Sequence, residues 1–440
     1  MAIIASNTIA QGDSREVGIA RAMANGWEIF RATKSRPWVG GASVFVSLIW
    51  LRNDDLGDQA ILEGVSVSKI DSNLTRPSRV VGEPYELKTF SGQYSQGCIL
   101  VGAGFVLEAA EGEALIAADQ RNRDVIRPFL INDDVNNDPQ SLAGRWAIDF
   151  FDMSLEEAER YPGPLAIVAR DVKPWRQELK SNGEYVRRKP LPQRWWQYGD
   201  KRKAMRDAIA DHERVLVIGT PSKFGLPAII PNGHVFNNTL FAFYTPDVAA
   251  MLALLTSTWH FNWWTVKGES TMKSDPRYTP SDGFDTFPQP DLTPRVRTAG
   301  EDLDAYRRHV QLSRTPQLGL TDLYNEVHNP ANLDSDIQRL REIHVEIDEA
   351  VAEAYLAHPL AARFGWMPLV LNHGFHKTVH GLRWTVDPDV QIEMNDRLLE
   401  LNHALYEDEV RRGLHNKRGS AKPRKAVAPK APDDPGDLLW

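Results

Sequence analysis

The residues best suited to chemistry in this chain are cations interleaved with aromatics. Eleven Lys or Arg stand against three Asp or Glu between Lys173 and Arg206. Lys173, Arg176, Lys180, Arg187, Arg188, Lys189 and Arg194 lead to Trp195, Trp196 and Tyr198, then Lys201, Arg202, Lys203 and Arg206. Cations pair with phosphates and aromatic faces pack or stack, so this composition suits a nucleic-acid surface. The competing reading is a solvated face with Trp195 and Trp196 as core anchors. A second polar loop, residues 267–283, follows the aromatic run WHFNWW and holds Glu269, Lys273, Arg277 and Tyr278. Arg and Lys can read guanine edges and Glu a cytosine edge, although such loops are equally often plain surface.

Other motifs are weaker. The VGAGF stretch at 101–105 lacks a third glycine at nucleotide-loop spacing and a convincing helix start, so a packed turn is expected. HNPAN at 328–332 has one proline and no aromatic, and reads as a helix breaker. His373, His376 and His380 are close in sequence but have no acidic or Cys ligand spaced with them. Asp171, Glu178 and Lys180 are the residue types of a metal-dependent nuclease, yet Pro174 interrupts the segment that would have to form its strand.

These residues must be held by elements that a chain of 440 residues, 42% hydrophobic and 25% charged, can build as two to four ordinary domains. No apolar run approaches the roughly 18 residues of a membrane span, and no basic segment precedes an apolar one at the N-terminus. The single Cys98 is the usage of a reducing compartment, and a cytoplasmic location is expected. A formal net charge of -8 argues against a uniformly cationic surface, which makes the local excess at 173–206 more informative.

The first fifty residues read as strand, helix, strand, strand. Met1–Ser6 is expected to be a fully buried strand. Asp13 or Ser14 caps a helix with Val17, Ala20, Met23 and Ala24 on its apolar face, and Gly26 stops it. WEIFRA (27–32) and SVFVSLIWL (43–51) are strands separated by the loop TKSRPWVGG, the pattern of the end of an open α/β sheet. An α+β region rich in Gly, Pro, Asn and Trp follows. After residue 292, two helices are legible: Leu340, Ile343, Ile347, Val351 and Ala354 repeat at three and four, as do Val390, Met394, Leu398, Leu401 and Leu405. The Lys-, Pro- and Ala-rich stretch 416–440 is expected to be a disordered tail.

Taken together, IASNTIAQGDSREVG, SRPW before an apolar strand, KTFSGQYSQGC, RNRDVIRPFL, RWAIDFF, WWQYG, DPRYTPSDGFDTFP and LNHALYEDEV resemble the C-terminal half of MmeI-like adenine-specific DNA methyltransferases. That family is associated with restriction-modification and phage defence. The resemblance runs in order from residue 2 to about 415. It implies the end of an S-adenosylmethionine-dependent methyltransferase domain at 1–55, with part of a Rossmann-like sheet. It further implies an α+β DNA target-recognition domain at 56–292 and a helical C-terminal domain at 293–415. Asn7, Ser35, Arg36, Pro37 and Trp38 would border the pocket for a flipped base, with Trp38 as its aromatic platform. Arg187, Arg188, Lys189, Arg194 and Lys223 would contact DNA, and Glu269, Lys273, Arg277 and Tyr278 would read it.

The sequence departs from that family in two ways. The turn after RPFL reads Ile131-Asn132-Asp133-Asp134, where the family usually carries a glycine. No Gly-rich S-adenosylmethionine loop and no Asn-Pro-Pro-aromatic corner occur anywhere in the 440 residues. The expectation is therefore a protein that needs double-stranded DNA and a separate N-terminal methyltransferase half, with S-adenosylmethionine bound in the complete enzyme and not by this chain alone. A non-catalytic DNA-specificity module is the alternative, and a nuclease ranks last. Residues 1–51 are expected to be the least stable part in isolation.

Overall fold

The computed structural model describes residues 1–10, 12–38, 45–53, 59–76, 79–267, 270–272, 275–378 and 381–415. The proposed tail at 416–440 lies outside them.

The N-terminal unit is a mixed five-stranded sheet built from β1 (Ala2–Ser6), β2 (Glu28–Pro37), β3 (Phe45–Arg52), β4 (Ala60–Leu62) and β5 (Val65–Val67). Its order is β1-β3-β2-β4-β5, with β2 and β4 parallel and the other neighbours antiparallel. Helical segments between Asn7 and Ala24 cross one face and close a small core of Ile19, Ile29, Ala32, Ile49 and Leu51.

The structure corrects three expectations in this unit. β1 is not fully buried: it pairs only with β3, its side chains alternate, and Ile4 is 62% exposed. The helix does not present Val17 inward. A wider i→i+5 turn at Glu16–Ala20 breaks the 3.6-residue period, so Ile19 is buried and Val17 exposed. Finally, the loop expected at 33–41 begins later, because β2 continues through a bulge between Thr33 and Arg36 to Pro37. Gly26, at φ 85°, ends the helical stretch as read.

Eight further strands form two four-stranded sheets. The first, in order β11-β10-β13-β6, joins β6 (Tyr94–Gln96), β10 (Arg214–Gly219), β11 (Pro227–Pro231) and β13 (Leu240–Phe243). The second, in order β12-β8-β9-β7, joins β7 (Val106–Glu108), β8 (Ile126–Leu130), β9 (Arg145–Ile148) and β12 (Val235–Phe236). β10 reads RVLVIG because both of its faces are covered. Val215 and Val217 join the core around β7–β9, while Leu216 and Ile218 join a second core shared with the helices.

That second core takes Trp259, Trp263 and Trp264 from α1 (Thr258–Lys267) and packs them beside α2 (Pro294–Ser313), α3 (Ser335–Leu356) and α4 (Pro388–Arg411). Leu340, Ile343, Ile347, Val351 and Ala354 are buried on α3, and Met394, Leu398 and Leu401 on α4, as their periodicity implies. Residues 79–91 strap the N-terminal unit onto α4. Asn402, fully buried, accepts from Tyr85 N–H at 2.8 Å and donates to Tyr85 O at 2.8 Å. Glu409 accepts from the backbone N–H of Lys88 and Thr89 at 2.8 and 2.7 Å, and from the Thr89 hydroxyl at 2.6 Å.

Candidate nucleic-acid interface

The basic stretch does not present all its cations to solvent. Arg176, on a short helix Lys173–Arg176, is fully buried. Its guanidinium donates to the carbonyls of Leu100, Val101 and Gln197 at 2.7, 2.7 and 2.6 Å. Burial pulls its pKa down to about 10, which still leaves it charged at neutral pH. It is a structural clamp between the turn at Val101 and the loop carrying Trp195. Arg206, half-buried, pairs with the buried Asp149. Lys201 and Lys203 pair with Asp152, the latter at 3.3 Å, and Arg202 pairs with Asp200 at 3.1 Å.

Trp195 and Trp196 follow the core-anchor reading. Trp195 is buried, and the Trp196 indole donates to Met153 O at 2.9 Å. Arg188, Lys189 and Arg194 are exposed, and no ion pair falls to them among the described residues. Arg187 is half-engaged: its guanidinium lies 4.0 Å from the Trp175 ring centroid and 3.6 Å from Glu178. Lys223 is exposed and donates to Asn325 at 2.6 Å. The exposed cationic surface without ion pairs is thus narrower than the sequence implied and centres on residues 188–194.

The loop 267–283 contains a two-stranded hairpin, β14 (Ser270–Met272) with β15 (Asp275–Arg277). Glu269 and Lys273 lie outside the described residues. Arg277 is exposed at the end of β15. Tyr278 must be removed from the set of base readers, because it is only 2% exposed and sits in the aromatic core. Its hydroxyl is 3.1 Å from His260 Nε2, while His260 Nδ1 is 3.1 Å from Leu255 O. A carbonyl only accepts, so Nδ1 carries the proton and Nε2 accepts from the tyrosine. Burial pulls the His260 pKa down to about 3, which keeps the imidazole neutral.

In the N-terminal unit, Asn7 opens the first helical turn after β1, while Ser35, Arg36 and Pro37 form the end of β2. Arg36 is exposed, and Trp38, just beyond the strand, is 47% exposed.

The remaining motifs resolve as structure. At Gly104 an added Cβ would lie 2.4 Å from Asp171 Cβ, so the glycine turn is filled by protein and is no cradle for a cofactor. HNPAN separates a helix ending at Val327 from α3, and Arg341 ties it down by donating to Asn329 O and Asn332 O at 2.8 and 2.9 Å. Asp171 pairs with Arg170 at 2.7 Å, Glu178 with Arg187, and Lys180 with Glu184 at 3.8 Å. They form no shared metal site; no group of metal-ligand type occurs among the described residues. His373 bonds Asp348 at 2.9 Å and His376 faces Asn372 O, while His380 lies outside the described residues. A cleft of about 720 Å³ runs past Cys98, Asp149, Arg206 and His234. Burial pushes the Cys98 thiol pKa up despite the nearby Arg206, which leaves it a weak nucleophile. No helix among the described residues is long and apolar enough to cross a membrane.

Residues 96–291 match the family model of the MmeI target recognition domain. No curated protein sequence matches the chain. Among solved structures it is similar to MmeI, a Type IIL restriction-modification enzyme in complex with DNA, with a TM-score of 0.63 and 16% identity. The match covers 92% of this chain and 50% of that one, so this chain spans half the length of the MmeI chain it resembles. The chain thus carries the signature of an MmeI-type target recognition domain at residues 96–291, set in a fold shared with MmeI.

Proposed function

We propose that the chain is the sequence-recognition portion of an adenine-specific DNA methyltransferase of restriction-modification type. One observation carries the reading: the segment that matches the MmeI target recognition domain is also the segment that leaves Arg188, Lys189 and Arg194 exposed and uncompensated. Phosphates are the natural counter-charge for such a surface. The N-terminal sheet supports the methyltransferase part. β1 pairs on one side only, with Ile4 exposed, and an edge of this kind takes a further strand readily. A methyltransferase half carrying the Gly-rich loop and the Asn-Pro-Pro-aromatic corner would supply that strand. On this reading donor binding falls to that half, and the glycine turn at 101–105, packed against Asp171 and Val172, is not needed as a cofactor cradle. Trp38, just beyond β2, would then serve as one wall of a flipped-base pocket.

The test is reconstitution. The full chain, mixed with a methyltransferase half bearing both missing motifs, is expected to transfer labelled methyl groups from S-adenosylmethionine to adenine in duplex DNA. Neither protein alone should do so. A folded pair that binds DNA yet yields no methyladenine sinks the methyltransferase reading. Sequence-selective binding by the chain alone, with no complementation, identifies a non-catalytic specificity module instead.

A further inference from the structure

The basic stretch contains an element that its composition did not disclose. Residues 178–186 form a small β-hairpin. Val186 N–H donates to Glu178 O at 2.8 Å, Lys180 N–H to Glu184 O at 2.7 Å, and Gly183 N–H to Lys180 O at 3.0 Å. Gly183, at φ 82°, supplies the left-handed residue that a three-residue hairpin loop requires. Leu179 and Tyr185 are the directly opposed pair between these bonds, so their side chains project together from one face. Both face solvent, Leu179 at 57% exposure and Tyr185 at 40%. Val186, on the opposite face of the ribbon, is also exposed.

The hairpin is firmly mounted. Arg187 stacks on Trp175 and pairs with Glu178, while Gln177 donates to Pro192 O at 3.0 Å. The buried Arg176 anchors the helix from which the hairpin springs. Exposed apolar side chains paired on a braced ribbon serve no core and are free to meet a partner. Its surroundings select the partner: residues 173–194 hold seven Lys or Arg against two Glu, and Arg188, Lys189 and Arg194 are exposed. A polyanion with apolar features inside its grooves answers both properties. Duplex DNA is one, because its major groove is wide enough for a two-stranded ribbon and presents the C5-methyl group of thymine.

We propose that the hairpin Glu178–Val186 enters the major groove and sets Leu179 and Tyr185 against thymine methyl groups, with Arg188, Lys189 and Arg194 on the flanking phosphates. The proposal rests on the reading of this chain as a DNA-recognition protein and adds a contact distinct from the loop around Arg277.

The test uses the full chain, a mixed-sequence duplex, and the same duplex with every thymine replaced by uracil, which removes only the methyl groups. The unmodified chain is expected to bind the uracil duplex more weakly, roughly threefold to tenfold for one or two lost methyl contacts. Leu179→Ser and Tyr185→Ser should abolish that preference while leaving the salt dependence of binding unchanged; both positions are exposed, so folding is preserved. Equal binding of the two duplexes by the unmodified chain overturns the proposal. So does a preference that survives both substitutions. An acidic protein partner then becomes the better account of the patch. If the full chain binds no duplex even at low salt, the DNA-recognition reading itself has failed, and this result is distinct from the other two.

Discussion

The N-terminal sheet and the body that follows it bury their strands differently. In the sheet, a small aliphatic cluster around Ile29 and Ile49 lies under one face, and the outer strand β1 leaves Ile4 in water. In the body, β10 is covered on both faces, and the indoles of Trp259, Trp263 and Trp264 fill the space between sheet and helices. The body therefore has a core that closes on itself. The sheet has one that ends at an open edge, and the residues 79–91 that follow it are held to α4 by Asn402 and Glu409. Aromatic volume and two-sided burial set where cooperativity resides.

Breaking each core should therefore give different outcomes. Trp263 is fully buried, with its indole donating to Thr286 at 3.1 Å. Trp263→Ala is expected to cost about 3–5 kcal/mol and to destabilise the recognition segment and the helices together, in one denaturant transition. Ile49→Ala, at about 2–5 kcal/mol, should unfold only the sheet and leave that transition in place. Hydrogen exchange of the unmodified chain sharpens the contrast. Amides of β1 and β2 should exchange through a local opening well below the global unfolding free energy, and strong protection there would refute the contrast between the two cores.

The strap offers a milder cut. Burial works to raise the Glu409 pKa, but the hydrogen bonds from Thr89, from the Lys88 backbone and from His415 outweigh it, and the carboxyl is held below its ordinary value of 4.5. A lowered folded-state pKa means that this carboxylate stabilises the fold above the unfolded value and ceases to as pH falls through the folded one. Protease cleavage in 79–91 should accordingly rise only below about pH 4.5. Glu409→Ala should produce the same sensitivity at neutral pH, at a cost of about 2–4 kcal/mol for two backbone donors left without a partner.

Much of the scaffold was legible because periodicity reports burial directly. The spacing at three and four in α3 and α4 has one physical cause, a single buried face. The errors arose where local chemistry overrides pattern. A single widened turn exchanged Val17 for Ile19, and a bulge carried β2 past the expected loop. The candidate interface was harder to read, because sequence counts charges without their partners. Arg176, Arg206, Lys201 and Lys203 looked like neighbours of Arg188 and Lys189, yet carbonyls or carboxylates claim all four. Tyr278 stood beside Arg277 in the chain and ended in the core, since successive residues at a strand end can face opposite ways. The hairpin at 178–186 had a signal in Ser181-Asn182-Gly183, a turn triplet between short β-compatible segments.

Two smaller effects separate positioning from reading within the body. Arg277→Ala should change which sequence is preferred, by about 1–3 kcal/mol at one position of the site, with little change in salt dependence. Arg188→Glu with Lys189→Glu should do the reverse. Each cation that meets a phosphate adds about 0.9 to the slope of log affinity against log salt. Losing two should flatten that slope by nearly two and weaken all sequences alike. The difference is smallest at high salt, where screening has already removed most of what these cations contribute, so the titration must extend to low ionic strength. If both substitutions altered preference and slope together, the surface around 187–194 and the hairpin ending at Arg277 would be one contact and not two.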